Sequence, residues 1–223
     1  MAKAPEPGQV KTRLCPPLSV EDAARLYRSF LLDKIEQVRG VSSAEPVVAY
    51  APDSAAALFE SLAPEFRLVP QGGGDLSARL VSVLECLFTG GFEAALVTDS
   101  DTPTLPSRCL ERAVACVASG AHDLVLGPSE DGGYYLIGLR RLHRALFDGM
   151  PWSTPVVLEE TLGRARALSL EVAQLEPWYD VDTAADLFRL AADLDEGGPD
   201  LPPRHTRRLL RETGRIFISG GRI

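Results

Sequence analysis

The sequence predicts an α/β domain in which a mostly parallel sheet carries helices on both faces. Segments with helical spacing of apolar residues alternate with short apolar segments along most of the 223 residues, and this alternation is typical of parallel sheets. Acidic and glycine-rich motifs directly follow several of the short segments, where open α/β sheets bind their ligands. We therefore expect one ligand-binding domain of this class.

The first half of the chain supplies the clearest elements. Ser19 and Asp22 form a variant of the capping box, and the apolar residues that follow recur at helical spacing, so a helix is predicted from Val20 to Arg39. Proline bounds the apolar segment 46–51 on both sides, which indicates a buried strand. The same criteria predict a helix ending near residue 62, a strand at 66–69, and a helix that Asp75 opens and that ends near residue 88.

The second half continues the alternation until about residue 195. Strands are predicted at 93–99, 123–128, 134–139 and 170–175, and helices at 106–118, from Ser153 onward and at 183–194. A Gly-Gly-Pro segment at 197–199 ends the pattern, so we expect a domain over residues 1–199 and a basic C-terminal appendage over 200–223. Because only Met1 and Ala2 precede the first polar loop, the first strand is expected to be truncated.

Composition argues against several classes of protein. The net charge of −8 and the isoelectric point of about 5.0 argue against nucleic-acid binding. No apolar run approaches the roughly 20 residues that span a bilayer. The four cysteines lack metal-site spacing, so reduced thiols in a cytoplasmic protein are the simplest interpretation.

The opening segment AKAPEPGQVKTRL concentrates positive charge on a stiff loop. Lys3, Lys11 and Arg13 lie there, with two prolines and a glycine that restrict the backbone and permit a turn. Such a loop can direct cations toward a bound phosphate. A frayed terminus with basic residues by chance is the alternative.

Acidic motifs occur at two predicted element ends. Asp99 and Asp101 follow a buried strand, and Asp180 and Asp182 precede the helix at 183–194. Carboxylates in such places are costly unless they are solvated, hydrogen-bonded or bound to a cation, and Mg²⁺ takes one or two of them together with phosphate oxygens. The alternative is helix capping, with a turn before the helix at 106–118 and with Asp182 or Thr183 as an N-cap.

Two glycine-rich loops are further candidates for a ligand site. The segment QGGGD at 71–75 exposes backbone N–H groups at a helix start, which suits an anion or the edge of a base, although a flexible loop has the same composition. The segment SEDGGYY at 129–135 allows the backbone to pass close to a ligand, or forms the turn between adjacent strands.

Taken together, these motifs resemble a bacterial family of uncharacterised transferases with the GT-A fold, within the nucleotide-diphospho-sugar transferase superfamily. The resemblance covers residues 1 to about 190 and rests on AKAPEPGQVKTRL, SDTPTLP, DGGYYLIGL, PWST and DVDTAADL. It implies a single-domain, Rossmann-like GT-A fold. The superfamily also contains molybdenum-cofactor nucleotidyltransferases and phospholactate guanylyltransferases, whose opening loops similarly carry Lys and Arg.

The resemblance implies a role for each motif. The catalytic groups would be Lys11, Arg13 and Asp101, and Mg²⁺ or Mn²⁺ would bind Asp101 and Asp182, with Asp180 as a substitute for Asp182. The residues implied for the nucleotide or nucleotide-sugar donor are Lys3, Lys11, Arg13, Gly72, Gly73, Gly74, Asp75 and Arg79. Those implied for an unidentified small-molecule acceptor are Asp131, Gly132, Gly133, Tyr134, Trp152, Ser153 and Thr154.

Three functions remain open at this point, and a glycosyltransferase is the one that we expect from the sequence. The acidic pair Asp99 and Asp101 favours a glycosyltransferase that uses a nucleoside-diphosphate sugar, and the grouping of the family with glycosyltransferases favours the same function. The Lys-bearing opening loop favours a nucleotidyltransferase that joins an NTP to a phosphorylated acceptor and releases pyrophosphate. The truncated first strand leaves a catalytically silent nucleotide-binding module as the third.

Overall fold

The computed structural model describes residues 1–195 and 203–213. Its strands are β1 (Ala2–Lys3), β2 (Val47–Ala51), β3 (Arg67–Pro70), β4 (Ala95–Thr98), β5 (Leu124–Pro128), β6 (Tyr134–Leu139) and β7 (Val172–Gln174). Its α-helices are α1 (Val20–Arg39), α2 (Ala56–Leu62), α3 (Leu76–Thr89), α4 (Ser107–Ala118), α5 (Val157–Ala167), α6 (Ala184–Asp195) and α7 (Arg204–Thr213). None of these helices combines the length and the apolar composition that a membrane crossing requires.

The sheet is mostly parallel, as the sequence predicts. Strands β1, β2 and β3 pair in parallel in that order, and a second group pairs in the order β4-β6-β5-β7. Strand β6 runs antiparallel to both β4 and β5, whereas β5 and β7 are parallel. The amine of Met1 donates a hydrogen bond to the Thr98 carbonyl at 2.6 Å, which joins β1 to β4 and so links the two groups.

Helices cover both faces of the sheet because successive side chains of each strand point to opposite sides. On β2, Val48 and Tyr50 pack with α1 and α2, whereas Ala49 packs with α3. On β5, Val125 packs with α4, whereas Leu124 and Leu126 pack in the same cluster as α3 and α5. The core therefore consists of two apolar layers, one on each side of the sheet, and the polar motifs are left at its edges.

Most predicted elements lie where expected, with one clear shift. Ser19 caps α1 by accepting a hydrogen bond from the Asp22 amide at 3.0 Å. The helix predicted from Ser153 instead begins at Val157, since Ser153 has a φ of 61°, which a right-handed helix excludes. The segment 129–133 connects the antiparallel strands β5 and β6, which confirms the hairpin interpretation of that segment.

Strand β1 is short, and an apolar cavity lies beyond its amino end. Its two residues pair with Tyr50 and Ala51 of β2. A cavity of about 330 Å³ between β2 and β4 is lined by side chains from both strands and from α3 and α4. The first strand thus fills only one end of the space between its neighbours.

Helix α7 is fixed to α1 through a buried carboxylate. Asp33 of α1 accepts hydrogen bonds from the backbone amides of His205 and Thr206 at 2.9 and 2.8 Å, and from the Thr206 hydroxyl at 2.6 Å. His205 Nε2 lies 3.1 Å from Glu36 Oε1 of α1. Burial raises the pKa of Asp33, and these hydrogen bonds oppose that shift. Asp33 therefore satisfies the amides at the start of α7.

Candidate functional site

A cavity of about 540 Å³ lies beyond the carboxyl ends of β1 and β4. It collects side chains that are far apart in sequence, from the opening loop to the segment before α6. The residues expected to form the site that line this cavity are Lys3, Lys11, Arg13, Arg79, Asp101, Asp131, Gly133, Tyr134, Trp152, Ser153, Thr154, Asp180 and Asp182. The opening loop, the acidic motifs and the segment before α5 thus share one site.

The Lys11 ammonium occupies the centre of this site. Its Nζ lies 2.7 Å from Asp101 Oδ1 and 2.8 Å from Asp182 Oδ1, and its side chain is 4% exposed. Burial alone would lower the pKa of Lys11, but the charges and hydrogen bonds of the two carboxylates outweigh it and raise that pKa. Lys11 is therefore a permanently charged cation between two acidic motifs.

The opening loop holds Lys11 in an uncommon backbone conformation. Lys11 has a φ of 50° and precedes a short 3₁₀ turn at Thr12–Leu14, whose Leu14 is fully buried and anchors the loop. The Lys11 Nζ also lies 5.9 Å from the centre of the Phe30 ring. Arg13, from the same turn, is 72% exposed, and its Nη1 lies 3.6 Å from Asp182 Oδ2. One cation is thus buried in the site while a second remains available at its mouth.

The two aspartates after β4 have different environments. Asp99 Oδ1 accepts hydrogen bonds from the Asp101 amide at 3.2 Å and from the Thr102 hydroxyl at 2.8 Å. The Thr102 hydroxyl in turn accepts a hydrogen bond from the buried Lys34 Nζ at 3.0 Å. Burial raises the pKa of Asp99 to about 6, although Lys34 opposes the shift. Asp99 therefore stabilises the turn, and Asp101 presents its carboxylate to Lys11.

In the segment before α6, the residue that caps the helix is not one of the carboxylates that face the cavity. The Asp186 carboxylate accepts hydrogen bonds from the amide and hydroxyl of Thr183, both at 2.7 Å, and the Thr183 carbonyl accepts from the Leu187 amide at 3.1 Å. Thr183 thus takes the capping position, which leaves the Asp182 carboxylate to Lys11. The Val181 amide also donates to the Asp101 carbonyl at 3.0 Å, which fixes the two acidic motifs side by side.

Asp180 is the most unusual carboxylate of the site. Its Oδ2 accepts a hydrogen bond from the Ser129 hydroxyl at 2.9 Å, whereas its Oδ1 is buried with no protein partner in the described part of the chain. Burial raises the pKa of Asp180 to about 8, and the charge of Asp99 adds to this shift. A buried acceptor without a donor favours a bound cation or water.

The carboxylates of the site fit a hard divalent cation. The Asp101 and Asp182 side chains, 38% and 39% exposed, already converge on one cation, the Lys11 ammonium. Asp180, whose Oδ1 has no donor in the described part of the chain, lines the same cavity. Mg²⁺ and Mn²⁺ prefer such carboxylate oxygens, completed by water or phosphate oxygens. Asp101 and Asp182, the pair named from the sequence, are the residues that would hold it.

The glycine loop after β3 lies at the site without lining the cavity. Gly72 and Gly74 have φ values of 74° and 92°, and Asp75 caps α3 by accepting a hydrogen bond from the Ala78 amide at 2.9 Å. Gly72, Gly73, Gly74 and Asp75 are absent from the described cavity wall, to which Gln71 and Arg79 contribute instead. A nucleotide role for the loop itself stays a prediction.

Sequence reasoning missed Gln71 and Tyr27. Gln71 is 2% exposed, and its Nε2 donates hydrogen bonds to the carbonyls of Ala2 and Ala49 at 2.9 and 2.7 Å. The Tyr27 hydroxyl accepts a hydrogen bond from the Lys3 amide at 3.0 Å and lies 2.8 Å from the Ser100 hydroxyl. A polar residue directly after a strand was the available signal for Gln71; Tyr27 gave none beyond its place on an apolar helix face.

The residues expected to face an acceptor form one connected wall. The Leu158 amide donates to the Gly132 carbonyl at 2.8 Å, and a Cβ on Gly132 would lie 2.1 Å from the Pro155 oxygen. The Trp152 indole donates to the Ser77 hydroxyl at 2.8 Å. Its ring also packs edge-on against Tyr134 at a centroid distance of 6.1 Å. Gly132 itself lies behind the cavity wall, where it allows this close contact.

Comparisons with known proteins support the fold and a family relationship. A family profile described as "uncharacterized protein conserved in bacteria (DUF2064)" matches residues 34–154. A solved structure from Desulfovibrio desulfuricans G20, provisionally named a nucleotide-diphospho-sugar transferase, is 32% identical with a TM-score of 0.87, over 98% of this chain and 94% of that one. None of the curated proteins matches this chain in sequence.

More distant structures share the fold alone. A CMP:2-keto-3-deoxy-manno-octonic acid synthetase in complex with CTP is 16% identical with a TM-score of 0.51, over 75% of this chain and 88% of that one. A cytidylyltransferase from Leptospira borgpetersenii serovar Hardjo-bovis is 12% identical with a TM-score of 0.51, over 87% of each chain. These likenesses agree with the α/β class that the sequence predicts.

Proposed function

This chain belongs to the bacterial family DUF2064, and on that premise we propose that it is a nucleotide-utilising transferase, specifically a metal-dependent nucleotidyltransferase. It joins an NTP to a phosphorylated small-molecule acceptor and releases pyrophosphate. The observation that carries the proposal is the position of Lys11, whose ammonium lies in the cavity between Asp101 and Asp182. The basic loop and the acidic motifs are therefore parts of one site.

The charges around the cavity suit a triphosphate. The cavity is lined by four cations, Lys3 of β1, Lys11 and Arg13 of the opening loop and Arg79 of α3, so several phosphate oxygens can be neutralised together. A phosphate oxygen of the acceptor attacks the α-phosphorus, the bond to the β-phosphate oxygen breaks, and pyrophosphate leaves with the electron pair. This displacement needs no covalent nucleophile, because positioning and charge neutralisation lower its barrier.

The acidic residues have separate tasks in this reaction. Asp101 and Asp182 hold the divalent ion, which supplies charge neutralisation on the phosphate oxygens when it is bound. Asp99 is engaged by the turn through the Asp101 amide and the Thr102 hydroxyl. Asp99 Oδ1 is thus committed to the turn, although Asp99 lines the cavity beside Asp101.

A glycosyltransferase is the second candidate. The supporting observation is the relative from Desulfovibrio desulfuricans, 32% identical over 98% of this chain, which is provisionally named a nucleotide-diphospho-sugar transferase. In that reaction a nucleoside diphosphate, rather than pyrophosphate, is the leaving group. The two candidates share the donor phosphates and differ in the bond that breaks.

Product analysis separates the candidates. A thermal-shift screen of NTPs and nucleotide sugars, with and without Mg²⁺, first identifies the donor. Phosphorus NMR of the protein with that donor and a panel of phosphorylated and hydroxyl acceptors then identifies the product. Pyrophosphate supports the proposal, and a nucleoside diphosphate from a sugar nucleotide supports the second candidate. Binding with neither product supports the catalytically silent module.

The exposed cation of the opening loop gives a binding test. Arg13→Ala should weaken donor affinity by about 1.5–3 kcal/mol, the usual contribution of a hydrogen bond to a charged group. Arg25→Ala is the matched control, because Arg25 is also exposed but pairs with Asp22 on α1. Calorimetry at low salt measures both affinities. Equal affinity for Arg13→Ala and the parent would remove the loop from the donor site.

A further inference from the structure

We propose that Lys11 is an internal cation that keeps divalent metal out of the site until a nucleotide draws its ammonium away. The inference rests on the proposed function, because it concerns the order in which metal and nucleotide enter that same site. Lys11 then has two positions in the catalytic cycle: on the carboxylates in the free protein, and on phosphate in the complex.

The Lys11 ammonium lies between the two carboxylates that would hold a metal. Asp101 Oδ1 and Asp182 Oδ1 lie at 2.7 and 2.8 Å from the same Nζ. Lys11 thus holds one oxygen of each aspartate that would bind a divalent ion. The ammonium and the metal compete for the same two carboxylates, and the positive charge of Lys11 repels the metal even before contact.

The contact between Lys11 and the two carboxylates is shielded from water. The Lys11 side chain is 4% exposed, so water does not replace the carboxylates as partners. Two charge-assisted hydrogen bonds hold the ammonium, and such bonds are stronger than neutral ones. A free divalent ion must displace a buried cation, and we expect its affinity for the free protein to be weak.

An entering nucleotide can draw Lys11 away from the carboxylates. Its φ of 50° lies in the left-handed region, which residues other than glycine adopt at a cost. Arg13, only two residues away, is 72% exposed and can bind an entering polyphosphate first. Phosphate oxygens then attract the ammonium, and Asp101 and Asp182 become free to bind metal. Nucleotide and metal affinities are thereby coupled, each raising the other.

The test measures Mn²⁺ binding to the free protein, without nucleotide or turnover. Electron paramagnetic resonance of unbound Mn²⁺ gives the affinity for the parent, Lys11→Met and Lys11→Gln. The matched control is Arg13→Met, which removes the same charge near Asp182 but from an exposed side chain. Removing Lys11 should tighten Mn²⁺ binding by roughly tenfold or more, since the variant no longer places a like charge against both carboxylates. Arg13→Met should change it by less than about threefold.

Each outcome has a defined meaning. Tighter binding in either folded Lys11 variant, lost again when Asp101→Asn is added, supports the inference. Unchanged or weaker binding in both Lys11 variants overturns it and leaves the proposed function standing. An equal gain in Arg13→Met also overturns it, because general charge removal then explains the effect. Absence of Mn²⁺ binding in the parent and in both Lys11 variants overturns both the inference and the metal site of the proposed function.

Discussion

Replacing Asp101 with Asn tests the acidic centre of the site through stability and activity together. The substitution keeps the shape of the side chain and removes its charge. Lys11 then loses one of its two carboxylates, at 2.7 Å, and retains Asp182 at 2.8 Å. Because Asp101 is 38% exposed, the fold does not depend on this carboxylate for packing.

The expected loss of stability depends on the hydrogen bonds that the Lys11 ammonium retains. A hydrogen bond to a charged group contributes about 1.5–3 kcal/mol, and the Asn oxygen can still accept a weaker one from the Lys11 ammonium, without the attraction of the opposite charge. Water screens the remaining attraction between Asp101 and Lys11, because Asp101 is partly exposed. We therefore expect a loss of about 1–2 kcal/mol in the free energy of unfolding, or about 2–8 °C in Tm for a chain of this size.

The pH of the measurement follows from the sign of the Lys11 shift. Its folded pKa is raised, so its contribution is complete below the ordinary lysine pKa of about 10.4 and is lost only as pH rises through the folded value. Urea titration at pH 7.5 therefore measures the full effect. Asp131→Asn is the control, because Asp131 lines the same cavity and accepts only from the Gly133 amide in the described contacts.

Activity completes this test. Under the proposed function, Asp101→Asn should lower the rate of pyrophosphate release by about 100-fold or more, as expected when transition-state charge is left unneutralised. An unfolded variant would show that Asp101 is a structural residue. A variant with parental Tm and parental activity would refute both the ion-pair argument and the metal role.

Three other predictions follow from the fold. Gly132→Ala should destabilise the protein by about 2 kcal/mol or more, because its φ is 90° and a Cβ would meet the Pro155 oxygen at 2.1 Å; Gly133→Ala, compared by urea titration, should be milder. The pKa of Asp180 is raised to about 8 in the folded protein, so its contribution to stability is complete below its unfolded pKa and is lost as pH rises through 8. Asp180→Asn, measured in EDTA, should therefore flatten the fall in the free energy of unfolding between pH 5 and 9. A pH curve that runs parallel to that of the parent would contradict this prediction. Four apolar residues added before Met1 should fill the cavity of about 330 Å³ and raise Tm by about 5 °C or more, whereas an unchanged Tm would show that they do not enter it.

Local signals predict the elements well where caps and periodicity agree. Helix α1 spans Val20–Arg39 as predicted, because Ser19 and the apolar spacing act within the helix itself. The start of α5 was placed too early, since the φ of Ser153 and the bond from Trp152 to Ser77 depend on contacts outside the segment. Boundaries set by tertiary contacts are the part that a single sequence does not contain.

The same distinction between local signals and tertiary contacts applies to the candidate site. Asp101, Asp182 and Lys11 could be named from their motifs, and the fold brings one oxygen of each aspartate within 3 Å of Lys11 Nζ. Both aspartates after β4 line the cavity, but their different partners were not predictable, because the turn that holds Asp99 depends on Lys34 of α1. Gln71 was missed for a similar reason: its partners are carbonyls of two other strands.

The neighbouring residues Asp33 and Lys34 of α1 bear on how this chain can be shortened. Asp33 receives three hydrogen bonds from α7, while Lys34 donates to Thr102 in the turn that presents Asp101. Removing α7 would take these three donors from Asp33 and uncover the side of α1 that packs with Leu209 and Leu210. A version of the protein trimmed before Arg204 would therefore destabilise the helix that carries Lys34, and fusion partners are better attached beyond α7 than in its place.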